Sequence, residues 1–144
     1  MDQISLVTEQ IEDGRKLVQR LIQEGIRVSA AWWLKPNPDA SWRLYIALPL
    51  RDKDATKAYR RVQDQIRQMP QPFWVGLLDA RLISPKDRIT KRVLEIQQQY
   101  PTRDVFHCSD SGLAINGYDA GEAHIYPRHI FTPAGTPSSE LKGA

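Results

Sequence analysis

At 144 residues with a formal net charge of +3, the chain has the size of one ordinary domain and can bury a core without metal or disulfide support. Apolar and charged fractions of 41% and 26% exclude wholesale disorder. The single cysteine excludes an intramolecular disulfide. The start, M-D-Q-I-S, lacks the basic and apolar regions of a secretory signal, and the longest uncharged apolar run, Leu44 to Leu50, is too short to span a bilayer. A soluble, cytoplasmic protein is therefore expected. Charge is unevenly spread: Arg51 to Arg92 carries +6 and the remainder −3. A basic middle of this kind serves either a nucleic acid or acidic partner, or a solvated pair of helices laced with ion pairs.

The first helix is expected over Gln3 to Glu24, with Ile4, Val7, Ile11, Val18 and Leu21 on one stripe. Gly14 fills the missing place in that stripe, which points to close packing there or to a break at Asp13-Gly14. Glu24-Gly25-Ile26 reads as a helix stop, with glycine in the left-handed position and an apolar residue behind it. Two alternating strands follow, Val28 to Leu34 and Trp42 to Leu48, separated by the loop K-P-N-P-D-A-S. Asp52 or Asp54 caps a second helix, Ala55 to Met69. Its apolar stripe is Ala55, Ala58, Tyr59, Val62, Ile66 and Met69, and Lys53, Lys57, Arg60, Asp64 and Arg67 lie opposite.

The run F-W-V-G-L-L-D-A-R-L-I, apolar on both parities through Leu78, reads as a strand covered on two faces. S-P-K-D then opens a third helix with Ser84 as N-cap, Pro85 in its first position and Asp87 reaching back; Pro101 stops it after Tyr100. Further strands are expected at Arg103 to Cys108, Leu113 to Asn116 and Glu122 to Tyr126. The fold class is thus α/β in the order α-β-β-α-β-α-β-β-β: a mixed sheet with a parallel middle, antiparallel hairpins at its edges and helices covering it. Residues 1–130 are expected to form one globular domain and 131–144 a disordered tail.

A-A-W-W-L, W-R-L-Y-I-A-L-P-L, A-Y-R-R-V-Q, the I-S-P helix start and A-H-I-Y-P-R resemble a set of small uncharacterised bacterial α/β proteins. The resemblance covers most of the chain except the tail and implies no activity, ligand or catalytic residue.

V-F-H-C-S-D-S-G, from Val105 to Gly112, gathers residue types used in nucleophilic catalysis. Strand parity separates His107 from Cys108, so they cannot act as adjacent base and nucleophile; Ser109, Asp110 and Gly112 suit a turn. Ligands of open sheets bind beyond the carboxyl ends of parallel strands. The strands expected to be parallel end near Leu48, Asp79 and Cys108, which would gather Arg51, Asp52, Asp79, Arg81, His107 and Asp110 on one rim. Asp79, His107 and Asp110 are accordingly the candidate catalytic residues of a small hydrolase-like enzyme. Arg51 and Arg81 are candidate binding residues; Asp79 and Arg81 at i, i+2 also read as a structural ion pair. Asp79, His107, Asp110, Glu122, His124 and His129 show no metal-ligand spacing, so neither a metal nor another cofactor is expected.

Of the four tryptophans, Trp33 shares its face with Ser29 and Ala31 and is the one expected to be exposed for contact with a ligand. Three readings of function follow, in order. A non-catalytic binding or accessory protein, with an unknown protein as partner, requires no motif that the chain lacks. A nucleic-acid-associated protein would use Lys57, Arg60, Arg61 and Arg67 of the second helix. The hydrolase-like enzyme comes third. No membrane partner is expected, and a free sheet edge would allow homo-oligomers.

Overall fold

The computed structural model describes residues 8–35, 41–49, 55–108 and 122–131, with only the backbone described at 107, 108, 129 and 131. In chain order the elements are α1 (Thr8–Gln23), β1 (Ala30–Lys35), β2 (Arg43–Ala47), α2 (Ala55–Gln68), β3 (Ala80–Ile83), α3 (Arg88–Gln99), β4 (Val105–Cys108) and β5 (Glu122–Ile125), then a 3-10 turn at Arg128–Phe131. The strands form one mixed sheet ordered β3-β2-β1-β5-β4. The class and the order of elements agree with the sequence reading. The strand expected at Leu113 to Asn116 and positions 132–144 of the expected tail lie outside the described residues.

Strand direction differs from expectation. Among the described strands only β2 and β3 are parallel, and they sit at one edge; the other three pairings are antiparallel. The connection β2-α2-β3 is a local crossover, so β3 settles beside β2 in the same direction. Helix α3 instead carries the chain across the sheet to the opposite edge, where β4 enters antiparallel to β5 and hence antiparallel to β3.

Strand β1 is buried along its whole length because both of its faces are covered. On one face Ala31, Trp33, Leu44, Ile46 and Tyr126 pack under Leu17, Val18 and Leu21 of α1 and Val62 and Ile66 of α2. On the other, Ala30, Trp32, Leu34 and Ile125 pack under Val93 and Ile96 of α3. The three-layer arrangement follows from the alternation of β1, which presents one large tryptophan to each helical layer.

The helix ends follow local chemistry, with one shift. The α1 stop is built as expected: Gly25 has φ +88°, Gly25 N–H donates to Ile22 O and Ile26 N–H to Leu21 O. The α3 start is one turn later than expected. Asp87, not Ser84, is the N-cap, its carboxylate accepting from Ile89 N–H at 3.0 Å. Ser84 shapes the preceding turn instead, accepting from Lys86 N–H through Oγ and from Thr90 Oγ1 through its carbonyl.

The β3 edge is obstructed to a further strand. Leu82 N–H donates to Tyr59 Oη at 3.0 Å, and the Arg81 guanidinium donates to the carbonyls of Leu78 and Ala80. Leu82 N–H and the Ala80 carbonyl are outward backbone groups that an added strand would need, so self-association by strand pairing is disfavoured at this edge.

Candidate anion-binding pocket

The expected carboxyl rim does not assemble. Residues 73–79, expected as strand, form turns. Asp79 caps one of them, its Oδ2 accepting from Gly76 N–H at 2.8 Å while Oδ1 lies 3.6 Å from Arg43 Nη1. Asp79 therefore stands at the amino start of β3. His107 lies in β4 on the far edge of the sheet, four strand spacings or about 19 Å away. Asp79 and His107 are thus held on opposite edges; Asp110 and Arg51 lie outside the described residues. The i, i+2 pairing of Asp79 with Arg81 gives way to Asp79–Arg43 and to Arg81 on backbone carbonyls, because β3 begins only after Asp79.

Trp33 is a further correction. Helix α1 covers the face expected to be open, so Trp33 is fully buried and donates from Nε1 to Tyr126 Oη at 2.8 Å. The exposed tryptophan is Trp74, in the turn region before β3. Among the described residues, no group of three or more His, Cys, Asp or Glu is placed to hold a metal ion.

The carboxyl end of β2 does carry a concavity, of about 410 Å³, within the range of small-molecule sites. Three segments build it. The α1 stop contributes Ile26 and Arg27, the end of β2 contributes Leu48 and Pro49, and the first turns of α2 contribute Lys57, Ala58, Arg61 and Val62. Positive φ at Gly25 reverses the chain so that Arg27 faces α2. Lys57 and Arg61 are four apart and share a helical face. Arg61 Nη2 also donates to Glu24 O at 3.3 Å, tying α2 to the end of α1. Among the described residues, no carboxylate lines this pocket and none is ion-paired with Arg27, Lys57 or Arg61.

Two of the expected basic residues, Lys57 and Arg61, thus join a third, Arg27, that the sequence reading did not single out. Arg60 is exposed on α2 outside the pocket lining. Arg67 is at the other end of the helix, paired with Asp64 at 3.2 Å.

A second polar cluster joins α1 to β5. The Asp104 carboxylate accepts from Arg15 Nη2 and lies against His124 Nε2, each at 2.7 Å from Oδ2. Burial works against the Asp104 charge, but the hydrogen bonds from His124 and Arg15 outweigh it and hold the carboxyl below its usual range. The Arg15 guanidinium, disfavoured by burial, is raised above its usual value by Asp104 and lies 5.2 Å from the Tyr126 ring centroid. Burial pushes the Tyr126 phenol well above the ordinary tyrosine range. Sequence spacing places Glu122, His124 and Tyr126 on one strand face, but nothing local shows Asp104 or Arg15 coming to meet them.

This cluster makes stability acid-sensitive. A carboxyl whose folded pKa lies below its unfolded value contributes stability above the unfolded value of about 4, and loses that contribution as pH falls through the folded value. Urea unfolding is therefore expected to weaken more between pH 5 and pH 3 in the wild type than in Asp104→Asn. Parallel losses in the two proteins would show that Asp104 is not the group responsible.

Comparison with known proteins adds no relationship: no family model, no curated protein and no solved structure matches the chain.

Proposed function

We propose that this is a non-catalytic binding protein whose pocket at the carboxyl end of β2 receives an anionic group. The convergence of Arg27, Lys57 and Arg61 on one concavity, with no carboxylate lining it among the described residues, carries the reading. Cations gathered on one concavity repel one another, and a bound anion relieves that repulsion. Asp79, one of the candidate acids, caps a turn, and the carboxylate of Asp104 is shared by Arg15 and His124. Among the described residues no helix is long and apolar enough to cross a membrane.

Calorimetric titration with pyrophosphate tests the proposal. Lys57→Glu/Arg61→Glu is expected to lose at least tenfold in affinity. Lys91→Glu, an exposed charge reversal on α3 across the sheet, is expected to bind as the wild type does. Equal affinities in all three proteins, or no binding by the wild type, would overturn the reading.

A nucleic-acid backbone is the second reading, favoured by Arg60, which is exposed beside Lys57 and Arg61 and extends the positive surface beyond the pocket. Under that reading a labelled oligonucleotide binds with strong salt dependence, and Arg60→Glu weakens it as much as Lys57→Glu does.

A further inference from the structure

We infer that the occupant of the Arg27–Lys57–Arg61 pocket is a small phosphate monoester carrying a compact apolar body. This rests on the anionic-ligand reading above and names the ligand class. The pocket has two chemically distinct parts. Its cations come from the α1 stop and from α2, whereas Ile26, Leu48, Pro49, Ala58 and Val62 supply apolar wall and floor. A cavity of about 410 Å³ is far larger than one inorganic anion requires, so the apolar part is left for a body attached to the charged head.

Three positive charges suit a dianionic phosphate better than a monoanionic carboxylate. The two guanidiniums can donate in parallel to phosphate oxygens, while Lys57 acts as a point charge. The layout also argues against an extended polyanion as the natural occupant. Beyond the pocket the basic face of α2 is interrupted where Arg67 is engaged by Asp64, and Arg20, across from α2, is held by the Gln65 and Gln68 side chains. The pocket also lies beyond the carboxyl end of β2, one strand of the parallel pair, a position that favours a ligand in open sheets.

The experiment is a titration of the full chain with inorganic phosphate, then ethyl, butyl and hexyl phosphate, with butanol as the uncharged control. Amide chemical shifts at residues 25–27 and 57–62 serve as the readout. Affinity is expected to rise about two- to fourfold per methylene until the pocket is filled, fourfold being the limit for full burial of each group. Butanol is expected to produce no comparable shifts. Ala58→Leu, which adds bulk to the apolar wall, is expected to remove the chain-length dependence. The wild-type series is decisive even if that variant folds poorly.

Binding of phosphate and pyrophosphate that depends on Lys57 and Arg61, but does not change with chain length, would overturn this inference and leave the anionic-ligand reading standing. No binding by any phosphate would overturn both. Sedimentation of the protein with phosphatidic-acid vesicles, without binding of soluble alkyl phosphates, would assign the site to a membrane surface and also overturn the inference.

Discussion

Gly14→Ala is expected to lower the melting temperature by about 10 °C, measured by calorimetry or circular dichroism. An exposed glycine in the middle of a helix normally gives the opposite result, because alanine is the better helix former by about 1 kcal/mol. Here the position is buried against the sheet. A Cβ at residue 14 would collide with Tyr126 Oη and lie 3.0 Å from Trp33 Nε1. Both contacts are to fully buried side chains that hydrogen-bond to each other, so neither can swing aside into solvent. Overpacking of this kind costs about 1–3 kcal/mol, and displacing the buried phenol adds the cost of broken hydrogen bonds. After the helix-propensity gain, a net loss of about 3 kcal/mol remains, which gives the expected shift at about 3 °C per kcal/mol for a chain of this size. An unchanged or raised melting temperature would mean that α1 does not approach the sheet this closely.

The second large effect is at the other side of the same contact. Tyr126 Oη accepts from Trp33 Nε1 and donates to Ile11 O at 2.6 Å. Tyr126→Phe removes one oxygen and leaves both partners without it in a buried site, at a cost of about 2–4 kcal/mol. The two substitutions should not add. Once the oxygen is gone the nearest clash at residue 14 is gone as well, so alanine there should cost less in the Tyr126→Phe background than in the wild type. A double-mutant cycle by urea unfolding is expected to show at least about 1 kcal/mol of favourable coupling. Additive losses would show that the Gly14–Tyr126 contact is not what makes Gly14 necessary.

Gly14 also shows how much can be read locally. Its place in the apolar stripe of α1 marks a close approach without naming the partner, and Tyr126 is that partner. The Gly25 stop is legible for the same reason, since it depends on one residue's freedom to take positive φ. The start of α3 is less so, because Ser84 and Asp87 are both capping residues and only the conformation of the turn between them decides which caps the helix. The run from Phe73 to Asp79 misleads because it is apolar on both parities, as a buried strand is. It turns at Gly76, and Leu78 is three-quarters exposed. Burial depends on what covers a segment, and no pattern within the segment records that.

The pocket divides in the same way. The basic character of α2, and the sharing of one face by Lys57 and Arg61, follow from helical spacing. Arg27 enters only because the turn at Gly25 points it toward α2, and the end of β2 closes the floor. The sequence by itself determined the α/β class, the order of the described elements, the apolar stripes where they are described and the helix stop at Gly25, because each depends on interactions between residues a few positions apart. Strand direction, the separation of Asp79 from His107 on opposite edges, the burial of Trp33 and the meeting of Arg27 with α2 were decided by the tertiary structure. Those features depend on which distant segments exchange hydrogen bonds and cover one another, and on the path α3 takes across the sheet.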